Sequence, residues 1–465
     1  MSTSITGDGR AAIEKKIQTV SGILEEKDEI RWQTVFEIER CVEWIRDNSF
    51  KKVCLQFPDE YLSFSPRILD LLEKETESRC YILADSTYGS CCVDEKTAHH
   101  VPDAEGIIHF GQSCLTPCSN RFKVLYIFTK PHVDLDKMTK LFSETFESDN
   151  QIVIVYDVIY QCVADLLYKS LQPSFPYLKI SCLSIPGAKI SDTSLIVKHG
   201  RVFPIDTLQE MDDTVIFYIG SRALPNLLLA LPNSTFKVYD PLLSSDSIST
   251  QTSSINKLIR KRNYYVEKVK DATSVGILVG TLVVQNYLDV IERLKTILRK
   301  VHKKFYVVSI GEINPCKLGN FMDIDCFIFV GCPEVVNYYI SDESKGQFFQ
   351  PIVTPYDVEL AFCEENSASD GQPSTSHQPE YMIDWAFLIE KGLPVVKDVE
   401  DDVSLITGGL RTTIVQDSGD KTSANQVINW VGLDVNEESP STEFGQIHQG
   451  RSGIASLYAD EPKVS

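Results

Sequence analysis

The sequence lacks any long apolar run. No uninterrupted apolar stretch reaches the roughly 18–20 residues that span a bilayer. Its first residues, MSTSITGDGRAAIEKK, have no apolar core of the kind that a secretory signal needs. These absences argue against an integral membrane protein and against secretion. We therefore expect a cytoplasmic protein with no membrane partner.

Positive charge is also scarce. The chain has 45 Lys and Arg residues against 65 Asp and Glu residues, which gives a formal net charge of −20. Because affinity for nucleic acid depends on basic side chains that neutralise phosphates, we expect no nucleic-acid partner.

The hydrophobic content of 43% is typical of a globular protein. The length of 465 residues is too great for one ordinary hydrophobic core. Two or three domains are therefore expected.

The cysteines follow none of the compact metal-binding patterns. The sequence has no C-x-x-C pair and no two histidines at zinc-finger spacing, which disfavours a zinc finger, and it has no ferredoxin-like cysteine run. It nevertheless contains 13 cysteines. In a reducing compartment they are not expected to form a disulfide framework, and most should be buried, inert thiols. The exceptions would bind metal or carry out redox chemistry.

Short apolar runs alternate with amphipathic helical patterns, and this predicts parallel sheets covered by helices. Four such runs recur in each third of the chain, and the third run of each set ends in a glycine, namely Gly111, Gly220 and Gly331. We therefore predict an α/β protein of three repeated parallel-sheet domains. The twelve runs are KKVCLQF, CYILAD, GIIHFG, VLYIFT, QIVIVYD, LKISCLSI, TVIFYIG, FKVYDP, SVGILVG, KFYVVSIG, CFIFVG and PIVTP.

Polar linkers separate the predicted domains. The stretches LLSSDSISTQTSSINK and EENSASDGQPSTSHQPE are rich in Ser and carry no apolar periodicity, as linkers and flexible insertions do. We predict a polar N-terminal extension, three α/β domains, and a flexible insertion followed by an acidic, partly flexible C-terminal tail that packs back. The expected boundaries are residues 1–34, 35–148, 149–256, 257–363 and 364–465.

The cysteines sort by position in this scheme. Open α/β sheets bind ligands beyond the carboxyl ends of their strands, so three sheets packed around a common axis would bring distant loops together. Six cysteines fall within apolar segments and are expected in the core: Cys41, Cys54, Cys80, Cys162, Cys182 and Cys326. No role is assigned to Cys118, Cys316 or Cys363. The remaining four, Cys91, Cys92, Cys114 and Cys332, lie just past strand ends, beside Gly or Ser.

Loop thiols of this kind have two interpretations. In the first, the four cysteines are inert loop residues, and the spacing of the cysteines along the sequence by itself favours this interpretation. The other is a dispersed site in which three thiolates, stabilised by nearby backbone N–H groups, hold a [4Fe–4S] cube and leave one iron open to a small molecule. Two side chains near these loops have plainer expectations. His109 is expected to be a satisfied core residue, and Asp94 to cap backbone N–H groups.

Several motifs around these cysteines resemble the diphthamide synthesis family. They are LQFPDE (55–60), DSTYGSCCVDE (85–95), HFGQSCL (109–115), ILVGTL (277–282), FVGCP (329–333), FFQPIVTPYDVELA (348–361) and DVSLITGGLR (402–411). The resemblance covers roughly residues 35 to 460. It implies three related α/β domains around a pseudo-threefold axis, with a [4Fe–4S] cluster at the centre.

The resemblance also implies an activity. Family members cleave S-adenosylmethionine to a 3-amino-3-carboxypropyl radical, which is added to one histidine of translation elongation factor 2. The eukaryotic enzyme resembles a heterodimer of two paralogues, so the implied partners are the catalytic subunit 1, elongation factor 2 as protein substrate, and an electron-donor protein. The complex uses S-adenosylmethionine.

Carried over by position, the implied cluster ligands are Cys92, Cys114 and Cys332, with Cys91 as the alternative to Cys92. Catalytic members take a ligand cysteine from the middle domain, but the corresponding stretch here, HGRVFPID (199–206), has none. The resemblance therefore implies an accessory subunit without catalytic residues, which supports reduction or maintenance of its partner's cluster. A purely structural scaffold and a self-sufficient transferase are the other possibilities.

Overall fold

The protein was analysed as a computed structural model. It describes residues 29–83, 90–117, 121–131, 133–187, 195–205, 210, 214–242, 247–311, 313–340, 348–364, 381–382, 388–389, 392, 394–397 and 402–411. Among these residues no helix is both long enough and apolar enough to cross a membrane.

The first sheet has four parallel strands in the order β2-β1-β3-β4. Its strands are β1 Lys52–Gln56, β2 Arg79–Leu83, β3 Gly106–Phe110 and β4 Lys123–Ile127. The accompanying helices are α1 Glu29–Val35, α2 Ile38–Asp47, α3 Ser65–Glu75 and α4 Glu95–Ala98. Every residue of β3 is buried, as expected for a strand covered on both faces.

The second sheet repeats this strand order and adds an antiparallel strand at one edge, giving β12-β11-β10-β5-β6. A separate antiparallel sheet, β7-β9-β8, was not predicted, because its strands are only two or three residues long. The strands are β5 Ile152–Tyr156, β6 Leu178–Ile180, β7 Cys182–Leu183, β8 Ile196–Lys198, β9 Arg201–Phe203, β10 Val215–Ile219, β11 Thr235–Tyr239 and β12 Ser249–Thr250. The helices are α5 Leu135–Thr145, α6 Gln161–Leu171, α7 Leu224–Ala230 and α8 Thr252–Asp271.

The third sheet is parallel in the order β14-β13-β15-β16. Its strands are β13 Ser274–Val279, β14 Lys304–Ser309, β15 Cys326–Val330 and β16 Ile352–Val353. The helices are α9 Tyr287–Lys300, α10 Pro315–Leu318, α11 Pro333–Ile340 and α12 Pro355–Phe362, and a short hairpin follows, β17 Asp402–Val403 and β18 Leu410–Arg411. The α9 helix has apolar residues at helical spacing on its buried face, including Ile291, Leu294 and Leu298.

All three sheets therefore place the first strand of each set between the second and the third. The twelve predicted runs all contain strands, and the mixed α/β class with parallel sheets is confirmed. The packing of the sheets around a threefold axis, and the five segment boundaries, stay predictions. Most of the predicted insertion and tail lies outside the described residues.

The described part of the C-terminal region contacts helix α8. Arg411 forms ion pairs with Glu267 and Asp271 of that helix, each at 2.7 Å. The helix itself is less solvated than its basic sequence suggests, because Arg262 is 4% exposed and pairs with Asp357 of α12. Ion pairs of this kind fix α8 between α12 and the C-terminal hairpin.

Candidate metal centre

Four thiols from loops far apart in sequence meet at one buried point. The Sγ atoms of Cys91, Cys92, Cys114 and Cys332 all lie within 4.8 Å of one another. Two pairs are in hydrogen-bond contact, Cys91 with Cys332 at 3.7 Å and Cys92 with Cys114 at 3.6 Å. No side chain of the four is more than 9% exposed. The structure thus brings together every cysteine that the sequence placed past a strand end.

Two of the loops belong to the first sheet and are fixed by backbone hydrogen bonds. The side-chain amide of Gln56, the last residue of β1, donates to the Cys92 carbonyl at 2.7 Å, and its oxygen accepts from the Asp94 N–H at 2.9 Å. The Cys114 N–H donates to the Cys91 carbonyl at 3.1 Å. Asp94 caps α4 by accepting from the Thr97 N–H, as predicted. These bonds fix the backbone on both sides of the thiols.

The third loop, which carries Cys332, follows strand β15 of the third sheet. Cys332 immediately precedes α11, and its carbonyl accepts from the Val336 N–H at 2.9 Å, so it opens the first helical turn. Across the boundary between sheets, the Gln112 amide donates to both carboxyl oxygens of Glu334, at 3.3 and 3.4 Å. One hydrogen-bonded pair therefore links the loop of Cys114 to that of Cys332.

Each thiol affects the pKa of its neighbours. Hydrogen bonds from the three neighbouring thiols hold the pKa of Cys114 well below its ordinary value. The same bonds to Cys114 raise the pKa of Cys91 and Cys92, while burial raises that of Cys332. A positively charged metal centre is the change that would allow all four to ionise, because it replaces repulsion between thiolates by attraction.

The carboxyl group beside the thiols is also perturbed. Burial, together with the charge of Cys114, raises the pKa of Glu334 to about 8, against the opposing effect of Arg201 and Arg222. Glu334 is therefore more readily protonated than an ordinary glutamate, and protonation would limit the negative charge next to the thiols. His109 lies nearby on β3, fully buried, and its Nε2 bonds the Gln112 carbonyl at 3.1 Å. Burial lowers the pKa of His109, as expected for a core histidine, but its Nδ1 has no hydrogen-bond partner among the described residues, so the expectation of a satisfied side chain is met only at Nε2.

The small antiparallel sheet contributes an arginine where the sequence lacks a cysteine. Arg201, the first residue of β9, is 1% exposed, and its guanidinium donates to the carbonyls of Tyr156 and His199. It lies 3.9 Å from Asp157. Asp157 also accepts backbone N–H bonds from residues 221–223, at 2.9 to 3.0 Å. An internal carboxylate therefore fills the turn that follows β10.

A cavity of about 40 Å³ lies beside Cys114, where the loops of all three sheets meet. That volume holds a few water molecules, since one occupies about 10–15 Å³ of such space. The side-chain oxygen of Asn226, which is 2% exposed, has no hydrogen-bond partner among the described residues. The lining residues are Cys114, Leu115, Thr116, Pro117, His199, Gly200, Arg201, Ala223, Asn226, Pro333 and Glu334.

The other cysteines separate into buried and exposed groups. Cys41, Cys54, Cys80 and Cys326 are buried, as predicted, and burial raises the pKa of Cys54 to about 11 and that of Cys80 to about 12, as expected for inert thiols. The prediction for Cys162 and Cys182 was wrong, because both are exposed. Cys162 lies off the buried face of α6, and Cys182 lies in the small antiparallel sheet. Cys316 is exposed and Cys363 buried, while Cys118 lies outside the described residues.

Comparison with known proteins assigns the chain to a family. Residues 57–372 match the family described as "Putative diphthamide synthesis protein". The chain belongs to this family. It is 32% identical to 2-(3-amino-3-carboxypropyl)histidine synthase subunit 2 of Gallus gallus over 99% of both chains. The subunit 2 of Danio rerio is 34% identical over 92% of both chains, and that of Schizosaccharomyces pombe 31% identical over 92% of this chain and 91% of its own.

The fold resembles that of a solved family member. The crystal structure of Dph2 from Pyrococcus horikoshii with a 4Fe–4S cluster matches with a TM-score of 0.53. The match covers 70% of this chain and 90% of that one, at 18% sequence identity. At this identity the likeness concerns the fold.

Sequence reasoning missed the polar residues that order the site. Gln112 and Glu334 each lie two residues from a loop cysteine, inside or next to the motifs GQSC and VGCP. Their closeness in sequence to these cysteines could have identified them as site residues. Gln56 ends its strand within LQFPDE in the same way. For Asp157 no local signal existed, since its partners lie in the turn after β10, and for Asn226 none existed because only its place at the cavity sets it apart.

The donor set fits a thiolate-bound metal centre. Four buried cysteine thiols are the ligand set of both tetrahedral zinc and iron–sulfur clusters. A single tetrahedral zinc ion, with Zn–S bonds of about 2.3 Å, places its sulfurs about 3.8 Å apart, which is close to the separations of the Cys91–Cys332 and Cys92–Cys114 pairs. A cube offers a different iron to each sulfur and therefore needs more widely spread thiols. Metal analysis can distinguish the two.

Proposed function

We propose that this chain is the accessory subunit of a heterodimeric transferase of diphthamide biosynthesis. The complex transfers a 3-amino-3-carboxypropyl group from S-adenosylmethionine to a histidine of translation elongation factor 2. Within it, this chain binds a [4Fe–4S] cluster through Cys92, Cys114 and Cys332, with Cys91 as the alternative to Cys92. Its role is to support reduction or maintenance of the catalytic subunit's cluster.

The meeting of loop thiols from two sheets at one buried point carries this proposal, and binding of a cube would spread their sulfurs beyond the separations seen here. Cys332 is separated from Cys91 by 241 positions, yet their sulfurs lie 3.7 Å apart in a buried site. A threefold arrangement of the sheets accounts for this, because their carboxyl ends then face one centre. Membership of the diphthamide synthesis family and the cluster of its Pyrococcus relative support iron–sulfur over zinc.

The middle third of the chain supports an accessory role over a catalytic one. Among the described residues, its β8–β9 turn brings Arg201 and His199 to the cavity beside Cys114 and supplies no thiol there. The chain's own residues hold the cysteine loops, keep Glu334 next to the thiols and bury the whole set. When bound, the cluster would supply one-electron chemistry, whose potential depends on ligation, nearby charge and exposure. The proposed partners are the catalytic paralogue, elongation factor 2 and an electron-donor protein, in the cytoplasm.

An anaerobic co-purification of the two subunits tests the proposal. The chain in which Cys92, Cys114 and Cys332 are replaced by Ala should lose iron and sulfide, and the pair should then be reduced more slowly. Cys326→Ala, which changes a buried thiol on β15 outside the group, is the matched control and should retain both properties. A triple variant that keeps its visible absorption and reduction rate would contradict the proposal.

A purely structural scaffold is the second candidate, since the net charge of −20 and the folded body could serve association alone. It predicts that the triple variant fully supports transfer to elongation factor 2 by the catalytic subunit. Zinc in place of iron in the purified chain would favour the same conclusion, because Zn²⁺ is not redox-active and cannot transfer electrons.

A further inference from the structure

We infer that the cavity beside Cys114 is a specific water-binding site, in which Asn226 holds ordered water against the sulfur of Cys114. The ligand is water in the role of hydrogen-bond donor. Asn226 is then a positioning residue, because it reaches the sulfur only through the water that it holds. Binding of water depends on this chain alone, whereas its effect on a reduction potential rests on the proposed function.

The unsatisfied side chain of Asn226 is the first support. Asn226 lies on α7, lines the cavity and is 2% exposed, and its Oδ1 has no hydrogen-bond partner in the described part of the chain. A buried amide oxygen without a partner is costly, so such atoms are nearly always satisfied by protein or by ordered water. Because an amide oxygen accepts and does not donate, the partner that Asn226 requires is a donor.

The cavity has the size and the lining that buried water needs. Its volume of about 40 Å³ has room for about three molecules at 10–15 Å³ each. A buried water makes about three hydrogen bonds, so it needs several polar neighbours. The lining offers them from four segments of the chain, through the side chains of Thr116, Arg201, Asn226 and Glu334. Water bound there therefore has partners besides Asn226.

The backbone around the cavity indicates that the space is specified and is no packing defect. Leu115, which follows Cys114, has a φ of 55°, an uncommon value for a bulky residue. Gly200 packs so closely against it that an added Cβ would lie 2.8 Å from the Leu115 Cβ. A strained conformation of this kind persists only where the surrounding structure holds it. The wall next to Cys114 is therefore fixed in position.

Water in this position has a measurable consequence for the centre. Cys114 lines the same cavity, so a water bonded to Asn226 can donate to the Cys114 sulfur. Hydrogen bonds to the sulfurs are among the determinants of iron–sulfur potentials. The reduced centre carries one more negative charge than the oxidised centre, so a donor stabilises the reduced form and raises the potential. Loss of the water should therefore lower the reduction potential.

The test uses the full-length chain, purified without oxygen, as wild type, Asn226→Leu, Asn226→Ser and Leu228→Ala. Leucine removes the acceptor oxygen, whereas serine retains an acceptor and leaves room for a further water. Leu228 is a buried apolar residue of the same helix that does not line the cavity, so its variant controls for a general loss of stability. Crystal structures of wild type and Asn226→Leu locate the water, and redox titration of all four proteins gives the potentials.

We expect wild type to contain ordered water bonded to both Asn226 Oδ1 and Cys114 Sγ, and Asn226→Leu to lack it. At a fixed potential, the ratio of reduced to oxidised centre should fall about tenfold in Asn226→Leu, which is about 59 mV for one electron. The shift should be smaller in Asn226→Ser and absent from Leu228→Ala.

A wild-type cavity without ordered water, or water that does not contact Cys114 Sγ, would overturn the inference. Equal shifts of potential in Asn226→Leu and Leu228→Ala would also overturn it, because a structural effect would then explain both. If wild type contains no iron or sulfide, the cluster of the proposed function fails, while the crystal structures still decide whether Asn226 holds water against Cys114.

Discussion

The Gln112 side-chain amide donates to both carboxyl oxygens of Glu334, 222 residues further along the chain. Gln112 lies two residues before Cys114 and Glu334 two residues after Cys332. The pair is therefore a direct polar link between the two sheets that share the thiol group. Its contribution can be measured separately from that of the thiols.

We expect the Gln112–Glu334 link to show thermodynamic coupling. Gln112→Ala and Glu334→Ala should each lower the free energy of unfolding by about 1 kcal/mol, the lower range for such bonds because the distances are long. The double variant should lose less than the sum, with a coupling energy of at least about 0.5 kcal/mol. The exchange of the two residues, Gln112→Glu with Glu334→Gln, should restore part of the loss. Strict additivity in urea unfolding would contradict the link.

The buried ion pair between Arg262 and Asp357 should be essential for stability. Arg262 Nη1 lies 3.0 Å from Asp357 Oδ2, and Asp357 also accepts from the Tyr381 hydroxyl at 2.7 Å. Arg262→Met leaves a carboxylate buried without its cation, which costs about 3–5 kcal/mol. Arg260→Met, on an exposed position of the same helix, should change stability by less than about 0.5 kcal/mol. Equal urea midpoints for the two variants would refute this role.

Gly220 is expected to tolerate no side chain. Its φ is +117°, and an added Cβ would collide with the Asp157 carboxylate that fills the turn after β10. Gly187 also has a positive φ, +85°, but a Cβ added there would meet no atom within 4 Å. Gly187→Ala should therefore cost only backbone strain, about 1–2 kcal/mol, and Gly220→Ala clearly more. Thermal unfolding of both variants, side by side, measures the difference, and similar melting temperatures would contradict the expected collision.

His199 should make the protein sensitive to mild acid. Burial, with Arg201 and Lys198, lowers the pKa of His199 to about 3. Its ordinary pKa is about 6.5, so below pH 6.5 the unfolded chain binds a proton that the folded chain does not. Stability is therefore lost as the pH falls from about 6.5 towards 3. Between pH 7 and 5, the free energy of unfolding of His199→Asn should fall by about 1 kcal/mol less than that of wild type. This value is reduced because His199 is partly exposed.

The control for this pH dependence is His302→Asn. His302 shares the left-handed backbone, with φ of 54° against 47° for His199, but is exposed. The variant should follow the wild-type pH profile of urea unfolding. If His199→Asn follows it as well, the charge on His199 does not determine the acid sensitivity.

The sequence alone determined the elements and the chemistry available to them. Twelve short apolar runs specify strands because a strand buried on both faces must be apolar along its whole length, and this local property can be read without a structure. The position of Cys91, Cys92, Cys114 and Cys332 just past strand ends is equally local. So is the absence of a cysteine from residues 199–206.

Only the tertiary structure decided what these residues do together. Three contacts join segments that are far apart in sequence, and no sequence pattern predicts them. They are the approach of the Cys91 and Cys332 sulfurs, the pairing of Gln112 with Glu334, and the filling of the turn after β10 by Asp157. Cys162 and Cys182 were misassigned because an apolar neighbourhood along the chain does not reveal which face a neighbour covers. Whether a thiol is inert or a ligand depends on its distance from other thiols, and that distance is set by the packing of sheets.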